Sequence, residues 1–224
     1  MISCSEVLRI SVGARDSKLS QAQVDEVLHA LRRIHSEVDF EPIWQKTIGD
    51  KDLKTSLREL DKTDFFTKEI DDMLLEKKCR IGIHSAKDLP DPLVRGLSIV
   101  AITQGIDPSD ALVLRDQERL ETLPEGAIIG SSSVRRDEMI KCLRSDLKCV
   151  DIRGTIERRL YLLDRSDFDG VVIAEAALIR LNLTHRNRIR LNGQTLPLQG
   201  RLAIVAREED REMAELFSCL DSRK

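Results

Sequence analysis

Short runs of aliphatic and β-branched residues alternate with stretches of helical spacing along most of the chain, and this alternation restricts it to an α/β fold. The strand-like runs are "LRISVGA", "VDFEPIW", "RIGIHSA", "LSIVAIT", "DALVL", "AIIGSS", "LKCVDIR", "GVVIAEA" and "LAIVAR". Between two of them, "SKLSQAQVDEVLHALRRIH" sets Leu19, Ala22, Val24, Val27, Leu28, Leu31 and Ile34 three or four residues apart, one face of an amphipathic helix. "FFTKEIDDMLLEKK", "SVRRDEMIKCLR", "IERRLYLLDR" and "EEDREMAELFSCL" have the same spacing. Mixed, mostly parallel sheets covered by helices on both faces are the expected result.

One pattern occurs twice. "ISVGARDSKLSQAQ" and "AIIGSSSVRRDEM" each read as a strand, a polar turn and a helix, and the turn-rich "QGIDPSDA" lies between them. Two similar lobes with a cleft between them are therefore expected, residues 104–198 forming the second and residues 1–103 with 199–224 the first. The last strand, near "GRLAIVAR", returns to the first lobe after the long loop "THRNRIRLNGQTLPLQ".

Composition removes several functions. A net charge of −3 and an aromatic content of 3% supply neither the basic excess nor the stacking surface of a nucleic-acid binder. No apolar run approaches the length of a membrane span, and "MISCSEVLRI" lacks the pattern of a secretory signal, so a cytoplasmic location is expected. The five cysteines, Cys4, Cys79, Cys142, Cys149 and Cys219, are scattered without a CxxC pair. They read as reduced thiols, with neither disulfide nor metal site.

Charged and hydroxyl side chains gather where strands end, the edge at which open α/β sheets bind ligands. Arg15 and Ser17 follow "ISVGA", and Lys87 and Asp88 follow "IGIHS". Ser131, Ser132, Ser133, Arg135 and Arg136 follow "AIIG", and Arg153 follows "CVDI" before a helix carrying Arg158 and Arg159. Helix starts, hydroxyls and guanidinium groups favour anions, so the implied ligand carries several carboxylates or phosphates. Each residue also has a plain structural reading: Ser133 as a helix cap, Arg158 and Arg159 on a solvated face. Phosphate-loop and GxSxG patterns are absent. What remains is a carboxylate, Asp88, suited to stabilising a cationic intermediate or delivering a proton.

These motifs resemble the porphobilinogen deaminase (hydroxymethylbilane synthase) family. "HSAKDLP" resembles its HSxKD(V/L)P segment and "GARDSKLSQAQ" its R-x-S-x-L-A-x-x-Q opening; "FFTKEI", "DPSDALV", "GSSSVRR" and "IRGTIERRL" follow in the family's order. The resemblance implies two periplasmic-binding-protein-like lobes and a transferase that joins four porphobilinogen units head to tail, with loss of ammonia, on a dipyrromethane cofactor. By resemblance Asp88 is the catalytic carboxylate, and Lys87 binds a substrate carboxylate. Phe66 lies against a pyrrole ring, or in the plain reading packs in the core. Arg15, Ser17, Ser131, Ser132, Ser133, Arg135, Arg136, Arg153, Gly154, Arg159 and Arg180 hold the acid side chains.

The sequence departs from the family's pattern at several points. "LDKTDFF" replaces the family's GGKGLF, moving the lysine to Lys62 and placing Thr63 in its usual position. "TIGD" puts Ile48 where the family has arginine, and "PLQGRLA" puts Arg201 where it has an interlobe glutamine. Family members continue into a third domain, whose cysteine anchors the cofactor through a thioether. The chain ends at "FSCLDSRK", so the third domain is expected to be absent, and no attachment cysteine is identified. The expected partner is porphobilinogen, with the protein a monomer or completed by a separate third-domain chain. The alternatives are a non-catalytic two-lobe binding protein for a polycarboxylated pyrrole or small anion, and a fragment requiring that third domain.

Overall fold

A computed structural model describes residues 7–58 and 63–223. Cys4 and Lys62 lie outside the described residues. The chain divides into two compact units, Met1–Lys51, Lys62–Gly105 and Arg201–Lys224 forming the first, Asp52–Asp61 and Ile106–Gly200 the second.

The first unit is built on β1 (Leu8–Arg15), β2 (Val38–Gln45), β3 (Ile81–Ser85), β4 (Leu97–Ile102) and β10 (Leu202–Arg207), in the sheet order β2-β1-β3-β10-β4. Alternate residues Ile10, Val12 and Ala14 of β1 are fully buried, the period-two signature of a strand with one face in a core. Helix α1 (Lys18–Arg32) lays Val24, Val27 and Leu31 on that face. It starts where the Ser17 hydroxyl accepts a hydrogen bond from the Ser20 N–H at 3.1 Å, so one of the expected anion-binding hydroxyls serves as a helix cap. Burying each such aliphatic side chain contributes about 1.5–3 kcal/mol. The short helices α2 (Ile48–Lys51) and α3 (Lys68–Leu75) follow β2.

In the second unit β5 (Asp110–Val113), β6 (Ile128–Ser131), β7 (Lys148–Asp151), β8 (Gly170–Ala174) and β9 (Arg188–Leu191) take the order β7-β6-β8-β5-β9. Helices α4 (Val134–Leu143), α5 (Ile156–Asp164) and α6 (Glu175–Arg180) connect or follow them. The last helix of the chain, α7 (Arg211–Leu216), belongs to the first unit. In each sheet four strands share one direction and one is reversed: β10 in the first, β5 in the second. Each reversed strand is the first after the chain crosses from one unit to the other.

The segment 184–199, expected to be a loop throughout, contains β9, which pairs with β5. Its apolar residues, Ile189 and Leu191, alternate with Arg188 and Arg190, and the basic residues hid the strand from a reading based on hydrophobic runs. Arg188 is neutralised by the buried Glu175, to which its Nε and Nη2 donate at 2.7–3.1 Å. No helix among the described residues is long and apolar enough to cross a membrane.

The return crossing depends on backbone freedom at Gly200. Its φ is +85°, and an added Cβ would stand 2.4 Å from the Asp107 carbonyl oxygen, a backbone atom that cannot swing aside. Gly200→Ala is therefore expected to lower unfolding stability by about 2 kcal/mol or more, measured as a lower urea midpoint at unchanged slope. An unchanged midpoint would contradict the crowding argument.

Candidate active site

On the first unit, β1 delivers Arg15 to its carboxyl end, where the guanidinium meets Asp50. Nε donates to Oδ2 at 3.2 Å and Nη2 bonds Oδ1. Asp50 also accepts from the Thr47 N–H (3.1 Å) and hydroxyl (2.9 Å). Burial alone would raise the Asp50 carboxyl, but the Arg15 and Thr47 bonds outweigh it and hold the group below the usual carboxylate range. The Arg15 guanidinium carbon lies 4.4 Å from the centre of the Phe66 ring, so one face of that ring carries a cation. Phe65 meets Phe66 edge-on at 5.2 Å. Gly49 makes this stack possible, because a Cβ there would come within 2.3 Å of Phe66 Cε1.

Strand β3 runs parallel to β1 and ends at Ser85, whose hydroxyl accepts from Gln23 Nε2 at 2.9 Å. The chain then turns through a short 3-10 helix, Ala86–Asp88, that presents Lys87 and Asp88 half-buried. No hydrogen bond or ion pair from another described residue occupies the Asp88 carboxylate.

Behind this turn, His84 Nε2 and Asp71 Oδ1 lie 4.0 Å apart, both side chains at most 3% exposed. They do not behave as an ion pair. Burial pushes Asp71 up to about 6 and His84 down to about 4, each opposite to the effect of mutual attraction.

On the second unit, the parallel strands β6, β7 and β8 bring Ser131, Asp151 and Ala174 to one edge, and the reversed β5 adds Asp110 opposite Ala174. Asp110 is fully buried and receives two arginines from the start of α4. Arg136 donates to Oδ1 through Nε (3.1 Å) and Nη2 (2.6 Å), and Arg135 Nη2 donates to Oδ2 at 2.6 Å. Gln199 Nε2 completes the set at 3.1 Å from Oδ1. Burial would raise the Asp110 carboxyl, and the two guanidinium groups reverse that and keep it ionised.

The remaining basic groups are held by oxygen acceptors of the same unit. Arg159, only 9% exposed, donates to the Gly154 carbonyl (3.0 Å) and the Ser132 hydroxyl (3.2 Å). It therefore points inward, unlike the exposed Arg158, and the solvated-face reading holds for Arg158 alone. Gly154 has φ +103°. Arg153 is buried and donates to the Asp52 carbonyl at 2.8 Å, and Arg180 donates to the Gly200 carbonyl at 2.9 Å. Ser131 Oγ donates to the Ser133 carbonyl at 3.3 Å. Ser133 occupies the N-cap of α4 without a side-chain cap bond.

Sequence reasoning assigned no role to Asp50, Asp110, Arg58 or Gln199. Asp50 and Asp110 sit in "TIGD" and "DPSDALV" beside strand ends, which is a readable signal. Arg58 Nη2 reaches the Ser131 carbonyl (3.1 Å) and Asp137 (3.1 Å), and no pattern in the sequence announces that bond.

The sequence model of a family described as "porphobilinogen deaminase, dipyromethane cofactor binding domain" matches residues 10–215. The chain belongs to the porphobilinogen deaminase family. It is 39% identical over 215 residues to a porphobilinogen deaminase of Desulforudis audaxviator, covering 95% of this chain and 70% of that one. A probable porphobilinogen deaminase of Chlamydia pneumoniae is 38% identical over 215 residues, with 96% of this chain and 91% of the relative covered. The fold is that of two-lobed solute-binding proteins. A periplasmic substrate-binding protein of an ABC transporter from Coxiella burnetii superposes with a TM-score of 0.59 at 14% identity, covering 94% of this chain and 91% of its own.

The second unit's donor set fits the dipyrromethane cofactor of the porphobilinogen deaminase family, whose two pyrrole units carry four carboxylates. Arg136, Arg153 and Arg159 are buried at one strand edge, and Arg135 Nε is buried without a hydrogen-bond partner among the described residues. Two of the thiols are poor candidates for a covalent anchor. Burial pushes Cys79 and Cys149 each up to about 11, which keeps them protonated and poorly nucleophilic at neutral pH. Of the positions departing from the family pattern, Ile48 is exposed and Thr63 is exposed. Arg201 bonds the Ser222 hydroxyl at 3.1 Å.

The raised Asp71 gives a pH test. Its folded value lies above its ordinary 3.8, so folding favours the protonated acid. The stabilisation is complete below about pH 4 and is lost as pH rises through about 6. Asp71→Asn should therefore gain about 2–3 kcal/mol over the parent at pH 8 and no more than a few tenths at pH 4, read from urea unfolding at both values. His84 is present in both proteins and drops out of the difference. An equal gain at both pH values would contradict the buried-acid account.

Proposed function

We propose that this chain is a porphobilinogen deaminase, a cytoplasmic transferase acting as a monomer. It joins four porphobilinogen units head to tail, releases ammonia at each step and yields hydroxymethylbilane for tetrapyrrole synthesis. Family membership and one structural observation support this reading. The Asp88 carboxylate stands half-buried at the tip of β3 with no partner among the described residues, available to a substrate.

Each condensation breaks the C–N bond of an aminomethyl group that is protonated to its ammonium form. The amine leaves as ammonia and the pyrrole remains as an azafulvenium cation. Asp88 accepts a hydrogen bond from the pyrrole N–H and stabilises the positive charge that grows on the ring as the amine departs. The free α-carbon of the neighbouring pyrrole then forms the new C–C bond to the methylene, and its proton is released. A bound dipyrromethane supplies the pyrrole terminus at which the first unit is added.

Every added unit brings an acetate and a propionate, so the product becomes a polyanion. Arg135, Arg136, Arg153, Arg159 and Arg180 bind those groups, with Ser131, Ser132, Ser133 and the Gly154 turn completing the surface. On the first unit Lys87, Arg15 and Ser17 serve the same purpose. Phe66 offers a ring edge to the pyrrole beside the guanidinium of Arg15.

Asp88→Asn removes the charge and preserves the shape. Porphobilinogen consumption, followed as ammonia release, is expected to fall by about three orders of magnitude or more, while the thermal midpoint moves by about 2 °C or less. Equal rates for the variant and the parent would remove Asp88 from the mechanism.

A further inference from the structure

Asp110 and Gln199 stand outside the catalytic scheme, yet they control two of its arginines. The Asp110 carboxylate has about four acceptor directions. Arg136 and Gln199 fill Oδ1 and Arg135 fills part of Oδ2. Gln199 is itself held, its amide donating to the Pro108 carbonyl at 2.6 Å and the Ser109 carbonyl at 3.3 Å. Asp110 sits on β5, paired to Ala174 on one side and Leu191 on the other, so its backbone cannot drift. Gln199 is 4% exposed and Asp110 fully buried, so water does not compete for these bonds.

We infer that Asp110, steadied by Gln199, is a positioning residue that fixes the orientation in which Arg135 and Arg136 meet the carboxylates of the ligand. The inference rests on the proposed function, and it adds residues to which no part of that reaction gave a role. Two guanidinium groups on adjacent residues repel each other and, unheld, would sample many rotamers. One shared carboxylate removes most of the repulsion and leaves the trio with one net positive charge, enough to attract an anion. The remaining donors of Arg136 and the buried Nε of Arg135 then lie at fixed positions, which is how preorganised donors gain over mobile ones.

A carboxylate acting only as a counter-charge makes the opposite prediction, and the sign of the effect separates the two. Asp110→Asn adds one positive charge to the site. Simple electrostatics then predicts tighter anion binding, whereas loss of positioning predicts weaker binding. Gln199→Met keeps all charges and removes the amide donor, so a counter-charge role predicts no change.

The experiment measures the KM and kcat for porphobilinogen, and by calorimetry the affinity for butane-1,2,3,4-tetracarboxylate, an unreactive anion with four acid groups. Expected are a KM about ten-fold higher in Asp110→Asn and about three-fold higher in Gln199→Met, with tetracarboxylate affinity falling in parallel and kcat changing less. Tighter binding in Asp110→Asn, or unchanged binding in Gln199→Met, overturns the inference. Should Asp110→Asn not fold, the Gln199→Met result decides alone. A parent protein that binds the tetracarboxylate but turns over no porphobilinogen would defeat the functional reading and leave the calorimetric comparison to judge the positioning role.

Discussion

A buried carboxylate shared by guanidinium groups is the interaction on which the basic strand edges depend. Arginines clustered without counter-charges would repel and turn to solvent, and a buried arginine without an acceptor would cost several kcal/mol. Here each is held by an oxygen of its own unit. Asp50 holds Arg15, Asp110 holds Arg135 and Arg136, and carbonyls of Gly154, Asp52 and Gly200 hold Arg159, Arg153 and Arg180. Arginine suits this arrangement because its planar fork can satisfy an internal acceptor with one edge and keep other donors for a ligand.

The fold supplies those acceptors at the right edge. Three parallel strands in each unit end together, which gathers the loops that follow them. The reversed strand β5 begins at the edge where its neighbours end, which is why Asp110 lies beside residues that follow β6. A fully parallel sheet would have placed the start of that strand at the opposite edge. The single reversed strand thus brings the carboxylate to the arginines. The same fold occurs in a periplasmic substrate-binding protein, so the fold alone does not fix the function.

Much of this was legible in the sequence. Alternating periodicity gave the strands and long helices, and the motifs "HSAKDLP" and "GSSSVRR" gave the family. The side chains expected at strand ends are found at strand ends, because period and turn position are local properties. What the sequence hid is relational. β9 was masked by Arg188 and Arg190, whose charges are met by Glu175 and Asp107, residues outside that strand. Arg159 was indistinguishable from Arg158 until α5 was oriented against the sheet. Gln199 stands two residues before the position where the family carries its glutamine, and its value appears only when Asp110 is seen beneath its amide. Pairings across 26 or 89 residues leave no trace in local pattern.

Asp88, at the tip of β3, is the proposed contact for the substrate's pyrrole nitrogen. A crystal structure with porphobilinogen bound tests it most directly. The predicted result is a pyrrole nitrogen within hydrogen-bond distance of the Asp88 carboxylate. Substrate density that leaves Asp88 in contact with solvent alone would contradict it.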